Sequence, residues 1–333
     1  MPKIPTTKPT TRAPRVAVRT RRAKIATRTP RTPRVSVLMS AYNSEKYIAA
    51  AIESILTQTF TDFEFVIIND GSTDRTPEIV AEYAARDKRI KFIDNRTNAG
   101  LIAALNQGLD FCRGEYIARM DSDDISLPTR FQIQTEYLDA HPECGVVGAW
   151  IKKFGPGVKS DEYFKYPEQM KILDFLVHGN QVAHPCTMIR REILTRHNIK
   201  YNPEYKYAED YAFWVEIVKY AEIHNIQTVL LNYRWADENV SVVHRKAQLQ
   251  CTERIRRHIL SDLLTNDTDI EKILNITRET IERFYLFGFL PIIRRKQYSI
   301  VKTKYYLFEK IPLIREQDGK IYLFEKIKIG GLK

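Results

Sequence analysis

Apolar runs alternate with segments of helical periodicity through the first half of the chain, with a repeat of roughly thirty residues. Four of these runs are typical of strands that are buried on both faces. They cover residues 35–39, 63–68, 90–93 and 115–119. Parallel strands need long crossover connections, which are usually helices. The alternation therefore predicts an α/β fold in which helices flank a parallel sheet.

The segments between these strands have helical spacing. Apolar residues recur at Ile48, Ile52 and Ile55, after Asn43 and Ser44, either of which can cap a helix. Further elements are predicted as helices from Thr76, over 101–111 and from Pro128, and as a strand from Gly145.

Polar clusters follow three of the predicted strands at the points where they end. The clusters are residues 40–43, 70–72 and 121–123. The carboxyl ends of parallel strands meet at one edge of a sheet, and ligands of open α/β sheets bind there. We therefore expect a ligand site at this edge.

The net charge of +11 comes from one end of the chain. Of the 52 lysines and arginines, eleven lie in residues 1–34, which contain no acidic residue. The remaining 41 equal the 41 aspartates and glutamates, so the high pI does not by itself indicate a nucleic-acid-binding body. We expect residues 1–34 to be a disordered basic tail. A transit peptide, a polyanion or membrane tether, and a tail without a defined role all fit its composition.

The chain of 333 residues is 44% hydrophobic, which excludes global disorder. Its four cysteines include no CxxC pair, and they predict reduced, mostly buried thiols rather than a disulfide scaffold. No apolar run approaches the roughly 18 residues of a membrane span, and no secretory signal is recognisable. The expected location is cytoplasmic, and peripheral membrane contact remains open.

The C-terminal region, 246–333, is expected to be a separate extension. Residues 246–287 have a helical, charged pattern. Residues 306–311 (YLFEKI) return as 322–327, with Asp318-Gly319 between the copies. Because Asp-Gly is a strong two-residue turn, the region 304–329 is predicted to form a β-hairpin.

Acidic side chains are crowded at Asp121, Asp123 and Asp124. Such carboxylates repel one another unless a cation is present, and Mg²⁺ prefers oxygen ligands of this kind. An acidic turn before the helix at Pro128 is the alternative. Asp70 can accept a hydrogen bond from a base or ribose, or can simply form a turn.

Four segments, in this order, resemble the motifs of family 2 glycosyltransferases. They are residues 35–43, 69–74, 98–100 with 103–106, and 114–124, which resembles the DxD region and is followed by Leu127, Pro128 and Arg130. The resemblance extends from about residue 34 to about residue 240. Its specificity lies in the ordered set rather than in any one motif.

The resemblance implies a GT-A fold over 35–245. A Rossmann-like, nucleotide-sugar-binding sheet would lie in the half 35–130, and the acceptor half would be 131–245. It also implies inverting transfer of a hexosyl or N-acetylhexosaminyl group from a UDP-sugar, with Mn²⁺ or Mg²⁺. The nucleotide-sugar-binding positions carried over are Ser40, Tyr42, Asn43, Asp70, Asn98, Asp121 and Ser122, and the metal ligands are Asp123 and Asp121.

Inversion needs a general base on the face opposite the leaving group. The family takes this base from an acidic pair at the start of a helix, which residues 209–214 (EDYAFW) match. The resemblance assigns Asp210 as the base and Glu209 as the second candidate. His184 and His244 correspond to positions that could contact the acceptor or the phosphates.

The expected partners are a nucleotide-sugar donor and a glycan, lipid-linked or protein acceptor, with no specific nucleic acid. The alternative function is a nucleic-acid-binding or scaffold protein recruited through the basic tail. That function would give salt-sensitive binding that depends on residues 1–34 and survives loss of Asp123.

Overall fold

The fold is taken from a computed structural model. It describes residues 32–158, 162–235 and 243–265, and the backbone of strand segments between 293 and 331. The strands of the main sheet are β1 (Val35–Ala41), β2 (Phe63–Asp70), β3 (Ile90–Asn95), β4 (Tyr116–Asp121), β5 (Ile125–Ser126), β6 (Cys144–Phe154), β7 (Tyr163–Phe164), β8 (Gln169–Met170), β9 (Met188–Arg190) and β10 (Glu222–Arg234). The helices are α1 (Ile48–Leu56), α2 (Thr76–Arg86), α3 (Leu101–Phe111), α4 (Arg130–Ala140), α5 (Ile172–His178), α6 (Arg191–His197), α7 (Glu209–Ile217) and α8 (Arg245–Thr265).

The main sheet has the order β3-β2-β1-β4-β9-β6-β10-β5, and β7 and β8 pair with β6 and β10. The first four strands are parallel, as predicted. Strand β9 is antiparallel to both β4 and β6, and β6 is parallel to β10. The carboxyl ends of β1, β4 and β10 therefore meet at one edge of a mixed sheet.

Both faces of the sheet are buried, which explains the continuous apolar runs. On β1, Val37 and Met39 face one core together with Ile52 of α1, whereas Leu38 faces the other core with Leu105 of α3. Trp214 of α7 is fully buried in the core that contains Leu38. The expected α/β fold class with flanking helices is confirmed.

Two helix starts differ from the sequence prediction. Helix α4 begins at Arg130 rather than at Pro128, because the Pro128 carbonyl accepts a hydrogen bond from the Thr59 amide at 2.9 Å. Helix α1 begins at Ile48 without a side-chain cap. The Ser44 hydroxyl instead bonds with the Ser122 hydroxyl at 2.8 Å, which links two loops.

The folded part begins before residue 35. Arg34 pairs with Glu115 and Asp139, each at 2.6 Å, and its guanidinium lies over the Tyr116 ring. Residues 32–34 therefore do not belong to the tail that we expect to be disordered. Residues 1–31 lie outside the described residues.

The C-terminal strands form a second, antiparallel sheet. It consists of β11 (Ile293–Ser299), β12 (Lys302–Leu307), β13 (Ile311–Gln317), β14 (Lys320–Leu323) and β15 (Ile327–Gly331), in that order. The predicted hairpin is one part of this meander, since Gln317 of β13 is paired with Lys320 of β14. Helix α8 accounts for the start of the predicted helical segment, and residues 266–292 lie outside the described residues. Within the part of the chain that the structure describes, no helix has the length and apolarity needed to cross a bilayer.

Candidate active site

A cavity of about 490 Å³ opens at the carboxyl edge of the sheet. It combines acidic side chains from β4 and its following loop with a second acidic pair from the start of α7 and a wall of aromatic rings. Its lining includes Tyr47, Leu101, Arg119, Asp121, Asp123, Phe164, Tyr166, Asn180, His184, Tyr207, Glu209, Asp210, Tyr233, Arg234, Trp235 and Gln248. The two acidic groups that the sequence separates by about ninety residues thus face one space.

The carboxyls of Asp121, Asp123 and Asp124 each offer an oxygen within 4.8 Å of the others. One oxygen of Asp124 accepts from the Arg234 amide at 2.7 Å, whereas its Oδ2 is buried with no hydrogen-bond partner among the described residues. Burial, and then the charge of Asp121, raise the pKa of Asp123 to about 6 and that of Asp124 well above its usual range. The neighbouring positive charges therefore do not offset the repulsion among the three carboxylates, and their oxygen atoms are suitable ligands for a hard divalent cation.

Arg119 lies at the centre of the site and is 2% exposed. Its guanidinium forms an ion pair with Asp121. Among the described residues, its Nε has no hydrogen-bond partner. Arg119 was not among the predicted site residues, although a charged residue inside the apolar run of β4 is a sequence signal for such a position.

Asp210 and Glu209 begin α7, where the helix N-terminus favours negative charge. Asp210 accepts hydrogen bonds from the Tyr211 amide at Oδ1 and from the Asn180 amide group at Oδ2, both at 2.7 Å. Burial, and then the neighbouring Glu209, raise the pKa of Asp210 to about 7. Burial also raises the pKa of Glu209. A carboxyl with a pKa near neutrality can accept a proton at physiological pH.

The three predicted polar clusters converge through hydrogen bonds. The side-chain oxygen of Asn43 accepts a hydrogen bond from the Thr73 backbone amide at 2.8 Å, and the Asn43 backbone amide donates to the Ser72 hydroxyl at 3.0 Å. The Ser44–Ser122 contact connects the loops after β1 and β4. Ser40 lies opposite Asp121 in the register of the two strands. The expected meeting of these loops at one edge is confirmed, although Ser40, Asn43 and Ser122 do not line the cavity.

Asp70 is buried, and its carboxylate holds the loop before α3. Its two oxygens accept the amides of Ala99 and Gly100, each at 2.9 Å. The neighbouring Asn98 and Tyr42 are exposed, and neither lines the cavity. In this arrangement Asp70 fixes the shape of the loop beside the site.

Gly71 allows this loop to approach closely. Its φ is +67°, and a Cβ at this position would lie 2.5 Å from the backbone nitrogen of Asn98. Gly71→Ala is expected to lower the free energy of unfolding by at least about 2 kcal/mol, measured by urea denaturation, because left-handed strain adds to a backbone clash. Gly157→Ala is the control, since Gly157 has a φ of +77° but its Cβ would meet no described atom within 4 Å. An equal decrease in the free energy of unfolding in the two variants would contradict a backbone clash at residue 71.

The two predicted histidines have different environments. His184 is 8% exposed, and its Nε2 hydrogen-bonds with the Tyr201 hydroxyl at 2.8 Å. Burial, and then Arg119, hold its pKa well below the usual range, so it faces the cavity as a neutral ring. His244 stacks on Tyr207 with ring centroids 4.1 Å apart, and it does not line the cavity itself.

An aromatic wall faces the acidic side chains, and its formation from residues far apart in the chain could not be predicted from the sequence. Phe164 contacts Tyr166, Tyr233 and Trp235, with ring centroids 6.2–6.4 Å apart. The Lys153 ammonium lies 4.4 Å from the Phe164 ring and 4.3 Å from the Trp235 ring. These contacts pack the rings against one another and against Lys153.

Similarity to known proteins agrees with this architecture. The family sequence model described as Glycosyl transferase family 2 matches residues 36–197. An uncharacterized glycosyltransferase of Haemophilus influenzae is 32% identical over 252 residues, covering 73% of this chain and 78% of that protein. The O-antigen biosynthesis glycosyltransferase WbnJ of Escherichia coli is 33% identical over 204 residues, covering 60% of this chain and 79% of that protein.

The fold is shared with solved structures. S. aureus TarS 1-349 in complex with UDP-GlcNAc has a TM-score of 0.60 and 24% identity, covering 76% of this chain and 73% of that chain. These findings do not favour the alternative of a nucleic-acid-binding or scaffold protein. The chain belongs to glycosyl transferase family 2, with the GT-A type of fold, and it is a glycosyltransferase.

Proposed function

We propose that the protein transfers a sugar from a UDP-sugar to a glycan, lipid-linked or protein acceptor, with inversion at the anomeric carbon and with a divalent cation. The observation that carries this proposal is the cavity in which the Asp121–Asp123 carboxylates face the Asp210–Glu209 pair. Transfer with inversion needs both features: a site for the diphosphate and a base that approaches the sugar from the other side.

The cation would be held by Asp123 and Asp121, which line the cavity. Two observations support this assignment: the Oδ2 of Asp124 has no hydrogen-bond partner among the described residues, and the three carboxyls each offer an oxygen within 4.8 Å of the others. A Mn²⁺ or Mg²⁺ ion bound there supplies positive charge to the departing diphosphate. The neighbouring Arg119 pairs with Asp121 and fixes that carboxylate in place.

Asp210 performs the proton transfer in this proposal. Its carboxylate takes the proton of the acceptor hydroxyl while the oxygen forms the new bond to the anomeric carbon. The bond to the diphosphate oxygen breaks, and its electron pair leaves with the nucleotide. Glu209 remains the second candidate for this role.

The aromatic wall supports a sugar-bearing acceptor. Tyr166, Tyr233 and Trp235 present ring surface to the cavity, and such rings pack against apolar ligand surfaces while fixing their orientation. A carbohydrate ring has one face of C–H groups that suits this contact. We therefore place the acceptor sugar between this wall and Asp210.

The transfer rate is expected to rise with pH through about 7, the pKa of Asp210, and to level off above it. The base acts only when ionised, so the rate should fall about tenfold for each pH unit below that value. Initial rates at saturating donor between pH 5 and pH 9 measure this dependence. A rate that stays constant from pH 5 to pH 8 would contradict a base with this pKa.

The direct test of the function is UDP release from a panel of UDP-sugars with Mn²⁺, with EDTA as the control. Metal-dependent release from one sugar is the expected result, and it identifies the donor. UDP-GlcNAc is the first donor to test, because the TarS structure of the same fold holds it. Absence of both release and metal-dependent UDP binding would contradict the proposal.

A further inference from the structure

Asn180 follows α5 and faces the cavity beside Asp210. The helix ends at His178, and the following Gly179 has a φ of +74°, which turns the chain toward the site. The Asn180 side chain then forms a turn of its own, since its Oδ1 accepts the Val182 amide at 3.0 Å. Val182 is buried, which anchors the turn in the core.

The orientation of the Asn180 amide follows from its two contacts. Its oxygen faces the Val182 N–H, and its Nδ2 donates to the Oδ2 of Asp210 at 2.7 Å. If the amide were flipped, two donors would face each other at Val182 and two acceptors at Asp210. The Asn180 side chain therefore directs an N–H donor at one oxygen of the Asp210 carboxylate.

The contact holds Asp210 without blocking it. A carboxylate has about four acceptor positions, of which the Tyr211 amide and Asn180 fill two. The remaining positions can take a proton from a substrate. The hydrogen bond of the Asn180 amide group goes to Asp210, which distinguishes the two acids of the pair.

We infer that Asn180 is a positioning residue that orients the Asp210 carboxylate for proton abstraction. This inference rests on the proposed role of Asp210 as the base. The other groups that act on Asp210 are Glu209 on its own helix, Arg119 on β4, and the hydroxyls of Tyr166 and Tyr201. Arg119 favours the ionised form, whereas Glu209 disfavours it.

Asn180→Asp is the informative variant. An aspartate keeps an oxygen for the Val182 amide, so the turn can persist, but it replaces the donor to Asp210 with a second carboxylate oxygen. Two adjacent carboxyls share a proton, so the titration of the pair moves to higher pH. Asn202→Asp is the matched control, because the Asn202 oxygen accepts the Glu204 amide in the same kind of turn at 2.9 Å, on the exposed surface.

The experiment follows the Asp210 carboxyl by ¹³C NMR in the full chain labelled at aspartate, with Asp210→Asn identifying its signal. We expect Asn180→Asp to raise the titration midpoint by at least about one pH unit. UDP release from UDP-GlcNAc at pH 7 should fall about 10- to 100-fold in kcat, the effect of one lost hydrogen bond to a charged group, while the donor KM is unchanged. Asn202→Asp should change neither quantity.

Two outcomes would overturn the inference in different ways. If Asp210→Asn is inactive while Asn180→Asp keeps both the midpoint and kcat of the wild type, the inference about Asn180 fails and Asp210 remains the base. If Asp210→Asn releases UDP at the wild-type rate, the proposed base fails and the role of Asn180 fails with it.

Discussion

Asp123→Ala is expected to lower UDP release at least about a thousandfold, because several kcal/mol of transition-state charge stabilisation are lost with the cation. The fold should persist, because the Arg234 guanidinium donates to the backbone carbonyl of Asp123 at 2.8 Å, a contact that the substitution keeps. The measurement is UDP release with saturating Mn²⁺ beside a calorimetric titration of Mn²⁺ in the presence of UDP.

The same variant should be as stable as the wild type or more stable in EDTA. In the folded state the pKa of Asp123 is raised to about 6, so its ionised form opposes folding as the pH rises above the ordinary aspartate range. Asp110→Ala is the control, since Asp110 forms an exposed pair with Lys200 and, among the described residues, no other ion pair. Full activity in Asp123→Ala would remove this residue from the site.

Asp210→Asn is expected to lower transfer about 10²- to 10⁴-fold, the usual contribution of a general base. Asparagine has nearly the same shape and can still accept the Tyr211 amide, so donor affinity should stay within about twofold. The measurements are kcat for UDP release and the Kd of UDP with Mn²⁺. The base contributes after the donor is bound, so the effect should lie in kcat.

Glu209→Gln is the matched control for this prediction. It removes the other carboxylate of the pair from the same turn of α7, and it should reduce kcat much less. The opposite ranking of the two variants would move the role of base to Glu209 and would contradict the assignment of Asp210.

The parallel half of the fold could be predicted because its signals are local. The apolar runs of β1 and β2 and the helical spacing of 101–111 depend on neighbouring residues, and α3 has these bounds in the structure. The antiparallel insertion of β9 between β4 and β6 could not be predicted, since it depends on pairings between residues far apart in the chain. Ser44 fails as a helix cap for the same reason: its partner, Ser122, lies 78 residues away.

The site was predictable where the acids follow a strand or begin a helix. Asp121, Asp123 and Asp210 belong to such patterns, and the structure places all three at one cavity. Asn180 has no comparable signal, because it faces the site only through a turn that packs against the core. The contacts of the Asp70 carboxylate could not be predicted either, because its hydrogen-bond partners lie in the loop before α3.

The most direct test of the proposed metal and nucleotide site is a crystal structure of the full chain with UDP and Mn²⁺, with anomalous data collected at the manganese edge. We expect an anomalous peak at coordination distance from the Asp123 carboxylate, with the diphosphate on the same ion. Asp210 should then face the open space beyond the diphosphate. A manganese peak or a nucleotide bound away from Asp121 and Asp123 would contradict the central claim.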